Sequence, residues 1–467
     1  MQLLAVDVAF WSMVAAGTYV LALATATHAI LTARTSQASI AWTIGLIAFP
    51  YLSLPMYWIF GRSKFLGYVL ARRVQYADVQ EELNRLDHKW DKHPPTLTET
   101  GVRLKPLEKL ASSPWTGGNR AELLINDKQI FDGMFEMIDW AKDYVLIQFY
   151  ILRDDDVGRE LTDRLVAAAQ RGVQVFLLWD EFGCRPEPTE MFRRLHEAGA
   201  KTAGFKPNQG GIRNLFRINF RNHRKLVLVD GKVACIGGAN VGDEYMGRSK
   251  KFGFWRDTQL RLWGPCVEAI QLAWAEDWHW ATTGEVPEVI RWEPQAAPNS
   301  DQTVLVLPTG PADPLESCDL LFVKALQEAR KRIWIASPYF VPDPQTKAAM
   351  QLAALRGVDV RFLIPDAVDH KLVWYAAWNY FEQAQKAGVR IFRYRGGFMH
   401  QKVILIDDDV ASVGTANFDN RSFRLNFELM ALINDEKFAG EVEAMLLADF
   451  EKCFELEPFK LEDRAFF

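Results

Sequence analysis

Two long stretches near the N-terminus contain no charged residue. One runs from Val8 to Ala33 and the other from Thr35 to Gly61, and Arg34 alone separates them. Each is long enough to cross a hydrocarbon core of ~30 Å as a helix. The pattern predicts a two-helix transmembrane hairpin in residues 1–61, with helices over about 8–31 and 38–60. A helical hairpin buried in protein is the alternative.

The residues after the second stretch predict which way the chain faces. After Gly61 no acidic residue occurs until Asp78, and four cations follow the apolar stretch: Arg62, Lys64, Arg72 and Arg73. The positive-inside rule therefore predicts a multi-pass protein of the cell (inner) membrane with the rest of the chain on the cytoplasmic side. Residues 62–120 are predicted to form a juxtamembrane connector.

Beyond residue 120 the chain is one pattern written twice, in which short apolar runs alternate with longer helical patterns. The sequence "YVLIQFYILRDD" at 144–155 matches "RIWIASPYFVPD" at 332–343, and "HRKLVLVDGKVACIGGAN" at 223–240 matches "HQKVILIDDDVASVGTAN" at 400–417. Strands connected through helices are typical of an α/β fold. We therefore predict two homologous α/β domains, over 121–281 and 303–467, with a linker at 282–302. Equivalent residues near a pseudo-twofold axis between them would converge.

Composition narrows the possible functions. The five cysteines never occur as CxxC, which argues against a disulfide framework or a zinc site. The net charge of −5 gives no overall basic field of the kind that nucleic-acid binding requires. The sequence therefore predicts no metal site and no nucleic-acid partner.

The repeated unit contains a histidine and a lysine two positions apart. In a strand His223 shares a face with Lys225, and His400 shares a face with Lys402. Each pair precedes four apolar residues and then an aspartate that signals a turn, and each repeat ends in an asparagine: Asp230, Asp407, Asn240 and Asn417. One such histidine is usually structural, but the same arrangement placed twice indicates chemistry.

The surroundings of both pairs favour an anion. No acidic residue occurs from Lys201 to Val229 or from Gln383 to Ile406, although both segments are rich in Lys and Arg. Two histidines and two lysines around one phosphate can carry out phosphoryl transfer without a cofactor. One imidazole attacks phosphorus while the other moves protons, and the lysines and asparagines hold the phosphate oxygens.

These residues resemble the HxKxxxxD motif of the phospholipase D superfamily, which occurs twice at the correct spacing. Together with the N-terminal hairpin and the segment "NFDNRSFRLNFEL" at 417–429, they resemble bacterial cardiolipin synthases over essentially the whole chain. The resemblance implies two phospholipase D-like α/β sandwich domains. It also implies that Asp257 and Glu428 accept hydrogen bonds from the imidazoles, and that the two motif aspartates are mostly structural. It suggests His223 as nucleophile and His400 as acid/base, roles that the symmetric sequence itself leaves open.

The implied reaction joins two phosphatidylglycerols into cardiolipin and glycerol through a phosphohistidine, so the expected partners are phosphatidylglycerol and anionic membrane lipids. A hydrolase of the phospholipase D type, or a phosphatidyltransferase with another donor or acceptor such as phosphatidylethanolamine, is the alternative. A membrane-tethered nuclease and a non-catalytic lipid-binding scaffold are more distant ones. The apolar and cationic segment at 208–220 is a candidate lipid-access loop or, equally, a buried approach to His223.

Overall fold

The computed structural model describes residues 2–33, 35–61, 65, 68–69, 89–111, 113–206, 219–282, 284 and 286–458. The N-terminal helices are α1 (Gln2–Thr32), α2 (Ser36–Ala48) and α3 (Pro50–Met56), and a π-helical turn follows over Tyr57–Gly61. Within the described residues, Ala9–Thr32 is long and apolar enough to cross a membrane, whereas Ser36–Ala48 is apolar but shorter.

A proline divides the second apolar stretch. Phe49 has φ −134° and ψ 61°, because the residue before a proline avoids the helical region. Pro50 then occupies the first turn of α3, where its missing N–H costs nothing. The prediction of one helix over 38–60 is therefore wrong in its continuity, since the stretch forms two helices and a turn.

The three helices pack through small side chains. Ala22, Ala26 and Ala29 recur at helical spacing on α1 and contact Leu46 and Tyr57 in one buried cluster. The Tyr57 hydroxyl lies 2.7 Å from Nδ1 of His28. On the outer faces large apolar residues such as Leu31 stay exposed, which suits helices whose surroundings are lipid.

The rest of the described chain is α/β. Its helices are α4 (Glu99–Leu104), α5 (Glu108–Ala111), α6 (Asn126–Trp140), α7 (Asp156–Gln170), α8 (Thr189–Glu197), α9 (Cys266–Thr282), α10 (Ser317–Glu328), α11 (Pro344–Leu355), α12 (Lys371–Gln385), α13 (Asn420–Arg424) and α14 (Glu436–Phe450), with 3₁₀ turns at Lys105–Leu107 and Asp243–Met246.

The strands of the first half are β1 (Thr116–Ile125), β2 (Tyr144–Phe149), β3 (Gln174–Asp180), β4 (Lys201–Phe205), β5 (Arg221–Asn222), β6 (Leu226–Val229), β7 (Val233–Gly237), β8 (Trp255–Arg256) and β9 (Thr258–Trp263). The strands of the second half are β10 (Gln302–Thr309), β11 (Arg332–Ala336), β12 (Phe340–Val341), β13 (Asp359–Pro365), β14 (Arg390–Tyr394), β15 (Phe398–Met399), β16 (Val403–Ile406), β17 (Val410–Gly414), β18 (Phe418–Asp419), β19 (Asn426–Asn434) and β20 (Cys453–Glu455).

One sheet runs through both halves in the order β20-β14-β13-β11-β16-β17-β19-β10-β1-β9-β7-β6-β2-β3-β4. The order from β10 to β14 repeats the order from β1 to β4, and β20 is an additional edge strand of the second half. The antiparallel pair β1/β10, with Thr116 opposite Val304, lies at the centre. This topology is the predicted pair of homologous α/β halves about a pseudo-twofold axis.

Helices cover both faces of the sheet. In the first half Val145, Ile147 and Phe149 belong to a core shared with α6, α7 and α8, while Phe176 contacts Trp274 of α9 on the opposite face. Successive strand residues point to opposite faces, so a strand covered on both sides is apolar throughout. This explains the unbroken apolar runs that follow each His-x-Lys.

Candidate active site

The two His-x-Lys segments come together because a short strand of each half pairs with a strand of the other half. β5, just before His223, pairs in parallel with the start of β19, and the His223 backbone N–H donates to the Phe427 carbonyl at 2.9 Å. In the same way β15 pairs in parallel with β8, and the His400 N–H donates to the Arg256 carbonyl at 2.8 Å. His223 therefore lies beside residue 428, which follows Phe427, and His400 lies beside residue 257, which follows Arg256.

Those neighbouring residues are carboxylates. Nδ1 of His223 lies 2.9 Å from Oε2 of Glu428, and Nδ1 of His400 lies 2.9 Å from Oδ2 of Asp257. An ionised carboxylate can only accept, so both imidazoles donate from Nδ1 and keep Nε2 for chemistry. The structure thus places Asp257 and Glu428 against the imidazoles and exchanges the partners between the halves.

Further donors hold the Glu428 carboxylate in place. Oε2 accepts from Oγ1 of Thr415 at 2.6 Å, and Oε1 accepts from Oγ of Ser422 at 2.7 Å and from Nδ2 of Asn426 at 3.1 Å. Glu428 is fully buried. A carboxylate with this many donors is stable as an anion away from water.

Asp257 has different hydrogen-bond partners from Glu428, and this explains why the two motifs differ at Gly238 and the equivalent Thr415. Its Oδ1 accepts from the Thr258 N–H at 2.9 Å, and Oδ2 lies 3.3 Å from Nε1 of Trp255. A Cβ on Gly238 would come within 2.0 Å of Oδ1. Glycine at this position leaves room for the carboxylate of Asp257, whereas the equivalent Thr415 uses its hydroxyl to bind Glu428.

The two motif lysines are buried behind the histidines. Nζ of Lys225 donates to the His223 carbonyl at 2.6 Å, and Nζ of Lys402 donates to the His400 carbonyl and lies 3.0 Å from Nδ1 of that ring. Burial, which disfavours the charged form, lowers the pKa of Lys225 to about 7 and that of Lys402 to about 8. A bound phosphate would stabilise the charged form of both lysines and raise their pKa.

Burial also sets the protonation of the histidines. It lowers the pKa of His223 and of His400 to about 4. Burial alone would raise the pKa of Glu428, but contacts with His223, Lys225 and the Thr415 hydroxyl outweigh it and hold the value at about 2. At neutral pH these shifts leave both imidazoles neutral against ionised carboxylates, the state in which Nε2 is a nucleophile or a base.

The two motif asparagines are not equivalent. The side chain of Asn240 is engaged at both ends, since Oδ1 accepts from the Ile151 N–H at 3.0 Å and Nδ2 donates to the Tyr245 hydroxyl at 2.7 Å. Asn417 lines a cavity, and its Oδ1 is buried without a hydrogen-bond partner. Asn417 is therefore the asparagine placed to contact a ligand.

The motif aspartates lie at the far ends of β6 and β16 from the histidines. The Asp230 carboxylate accepts from the backbone N–H groups of residues 142–144 at 2.8–3.0 Å, and that of Asp407 accepts from those of residues 330–332 at 2.8–3.3 Å. Both residues have left-handed backbones, with φ 53° and 52°. They tie the turns after β6 and β16 to the starts of β2 and β11, which is a structural role.

A cavity of about 370 Å³ opens beside His223, and among the residues described His400 does not line it. One wall is apolar and comes from α12 through Leu372, Val373 and Ala376. Polar and charged side chains also line the cavity: Arg221, Arg421, Asn417, Asn426 and the acid Asp419. A lining that is partly apolar and partly cationic suits a phospholipid, whose head is anionic and whose body is not.

One group of carboxylates in the described chain is close enough to share a cation, namely Glu316, Asp319 and Asp343. Arg424 already contacts two of them, at 3.1 Å to Glu316 and 2.5 Å to Asp343. The Arg424 guanidinium therefore supplies positive charge to two of the three carboxylates.

The family model described as "Cardiolipin synthase, PLD-like domain" matches residues 134–252 and 322–450, more than half of the chain. The chain belongs to the cardiolipin synthase family of the phospholipase D superfamily. A second model, described as "Phospholipase_D-nuclease N-terminal", matches residues 20–62.

Relatives of this family member align over nearly its whole length. Cardiolipin synthase A of Pseudomonas aeruginosa (strain LESB58) is 45% identical over 451 residues, which cover 96% of this chain and 91% of the relative. That of Pseudomonas putida (strain GB-1) is 44% identical over 441 residues, which cover 94% and 91%.

A solved structure shares the fold. The phosphatidylserine synthase of Haemophilus influenzae Rd KW20 superposes with a TM-score of 0.59 at 15% identity, over 77% of this chain and 92% of that one. These comparisons confirm the predicted family, the duplicated phospholipase D-like fold and the phosphatidyltransferase activity. The chain is a membrane-associated enzyme of phospholipids.

Sequence reasoning missed several residues of the site. From the sequence no role is assigned to Thr415, Ser422 or Asn426, although all three donate to Glu428. Asn426 was accessible to reasoning, since it lies two positions before Glu428 in an extended segment and so shares its face. The candidate lipid-access loop at 208–220, apart from its last two residues, and the four juxtamembrane cations lie outside the described residues.

Proposed function

We propose that this chain makes cardiolipin and glycerol from two molecules of phosphatidylglycerol by double displacement at His223. In the first step Nε2 of His223 attacks phosphorus, the bond to the glycerol oxygen breaks, and His400 gives that oxygen a proton. In the second step the headgroup hydroxyl of another phosphatidylglycerol attacks phosphorus, the P–N bond breaks, and His400 takes the proton back.

The exchange of carboxylates between halves is the observation that carries this proposal. Each imidazole has Nδ1 bound by a carboxylate at 2.9 Å and Nε2 left for chemistry. Two such rings with opposite protonation are what one nucleophile and one proton carrier require. We assign the nucleophile to His223 because it is the motif histidine that lines the cavity.

His400 needs a proton for the first step, although burial lowers its pKa to about 4 in the empty site. The anionic phosphate of a bound lipid raises that pKa, since a nearby negative charge favours the imidazolium. The Asp257 carboxylate then stabilises the charged ring. Substrate binding thus brings the acid into its working form.

Lys225 and Lys402 bind the non-bridging oxygens, and the Nδ2 group of Asn417, which lines the cavity, donates one more hydrogen bond. Both lysines are nearly or fully buried, so their attraction to an oxyanion is screened little by water. In this scheme Asn240 orients the residues around it instead of touching the phosphate, because its side chain is engaged.

We further propose that the protein lies in the inner membrane as a hairpin, with the catalytic domains on the cytoplasmic side. The charge pattern of the sequence supports this orientation. The α12 wall of the cavity would receive the glycerol and acyl portion of the phosphatidyl group, since Leu372, Val373 and Ala376 are apolar.

The test is to incubate the purified protein with phosphatidylglycerol vesicles in EDTA and to follow lipids and glycerol by mass spectrometry. Cardiolipin with stoichiometric glycerol is the expected result, and His223→Ala should abolish it. The control Arg159→Gln alters an exposed surface residue and should leave turnover intact. Phosphatidic acid as the main product would mean a hydrolase, and product only with phosphatidylethanolamine present would mean another donor.

A further inference from the structure

The pseudo-twofold symmetry of the site is broken at two cationic positions. Arg221 stands two residues before His223, and the equivalent position before His400 is Phe398. Arg421 lies in the turn after Asn417, and the equivalent position after Asn240 is Glu244. The equivalence is structural as well, since β5 corresponds to β15 and α13 to the 3₁₀ turn Asp243–Met246. At these two positions the His223 side of the site carries guanidinium groups that the His400 side lacks.

Both arginines line the cavity beside His223. Arg221 and His223 are alternate residues of one extended segment, so they share a face about 6.6 Å apart along it. The Arg221 guanidinium lies 3.8 Å from the centre of the Phe182 ring, which helps to fix its direction. Arg421 follows Asp419, the N-cap of α13, and is exposed.

The acidic groups near the two arginines accept hydrogen bonds from backbone N–H groups. Asp180 accepts from the N–H groups of Asn222, Phe182 and Gly183 at 2.8–2.9 Å. Asp419 accepts from the N–H groups at 421 and 422, each at 2.8 Å. Burial, the largest influence, also raises the pKa of both carboxyls. Asp180 still interacts with the charge of Arg221, and Asp419 with that of Arg421, so a bound phosphate would share the two guanidinium groups with these acids.

The donor lipid gives these cations nothing to bind, because its single phosphate must lie between the two histidines. The acceptor of the proposed reaction has a phosphate of its own, one glycerol away from the hydroxyl that attacks. We propose that Arg221 and Arg421 bind the phosphate of the acceptor phospholipid and so select a lipid over water or free glycerol as acceptor. This inference rests on the proposed function and concerns its second step alone.

The position of Arg221 and Arg421 on the His223 side agrees with the order of the proposed steps. The phosphatidyl group is bonded to that histidine when the acceptor arrives, and the product carries two phosphates joined through one glycerol. A guanidinium two residues along the strand can hold the second phosphate while the first remains at the histidine. Guanidinium groups suit this task because they bind phosphate through paired hydrogen bonds.

The experiment compares two acceptors in one preparation of the full-length protein in phosphatidylglycerol vesicles. Cardiolipin formation uses an acceptor with a phosphate, and incorporation of isotope-labelled glycerol into phosphatidylglycerol uses one without. We expect Arg221→Gln and Arg421→Gln to lower the ratio of cardiolipin to labelled phosphatidylglycerol about tenfold or more. Arg221→Lys should restore part of the ratio, and the surface control Arg159→Gln should leave it unchanged.

The outcomes separate this inference from the proposed function. An unchanged ratio in both variants, or an equal loss of both products, would overturn the role of the arginines in choosing the acceptor. Wild-type protein that exchanges glycerol but makes no cardiolipin would refute the proposed function itself. Labelled glycerol incorporated by a variant also shows that the variant is folded and forms the phosphohistidine.

Discussion

Replacing Glu428 by Gln tests the assignment of the two histidines most directly. The carboxylate is fully buried and accepts from Nδ1 of His223 at 2.9 Å. A hydrogen bond to a charged group contributes about 1.5–3 kcal/mol, which corresponds to a loss of about 10- to 150-fold in the rate of attack. The neutral amide keeps the size of Glu428 and removes only its charge and one acceptor oxygen.

The donors around Glu428 make a loss of about tenfold the smallest that we expect, because a glutamine there disturbs more than one hydrogen bond. If the amide NH₂ points toward His223, the ring must accept at Nδ1 and carry its proton on Nε2, which removes the nucleophile. If it points the other way, it meets the NH₂ group of Asn426, which now donates to Oε1 at 3.1 Å. Neither orientation reproduces the four contacts of the carboxylate.

The assay is the burst of p-nitrophenol from phosphatidyl-p-nitrophenol, a substrate whose leaving group needs no proton. Glu428→Gln should slow the burst by the factor above, because attack by His223 is impaired. The matched variant Asp257→Asn should keep the burst but lose lipid-to-lipid turnover, because His400 is needed there as a base. The opposite result would exchange the roles of the histidines, and two unaffected bursts would refute the reasoning.

Three further predictions follow from the geometry of the site. Burial lowers the pKa of Lys225 to about 7, and the lysine must be protonated to bind phosphate, so kcat/KM should fall as pH rises through about 7. A bound anion raises that pKa, so kcat should fall only at higher pH. If kcat and kcat/KM fell at the same pH, this prediction would be contradicted. Gly238→Ala puts a Cβ 2.0 Å from the Asp257 carboxylate and should cut cardiolipin formation at least about tenfold through loss of a charged hydrogen bond, whereas normal turnover would exclude the close contact. Arg256→Ala removes the cation that binds the buried carboxylate of Asp449 at 2.8 Å and leaves it only the Gln401 amide. This should lower the free energy of unfolding by about 3–5 kcal/mol, which a denaturant titration in detergent measures; a loss below about 1 kcal/mol is typical of exposed ion pairs and would contradict burial.

Much of the catalytic centre was accessible to sequence reasoning because its signals are local. His223 and Lys225 share a face by the two-residue period of a strand, and the repeat at His400 and Lys402 removes chance as an explanation. The structural role of Asp230 was expected only through family resemblance, since its hydrogen bonds go to amides at 142–144, more than eighty residues earlier. The break at Pro50 was readable from proline chemistry and was nevertheless missed.

Periodicity, spacing and repetition along the chain were sufficient to predict the apolar N-terminal segment, the duplicated α/β pattern and the paired chemical groups. The fold was needed to show that His223 contacts Glu428, 205 residues away, and that His400 contacts Asp257, 143 residues away. The same holds for the gathering of Arg221 and Arg421 into one cavity. These pairings depend on strands lent across a pseudo-twofold axis, and no local pattern encodes which distant carboxylate will complete a site.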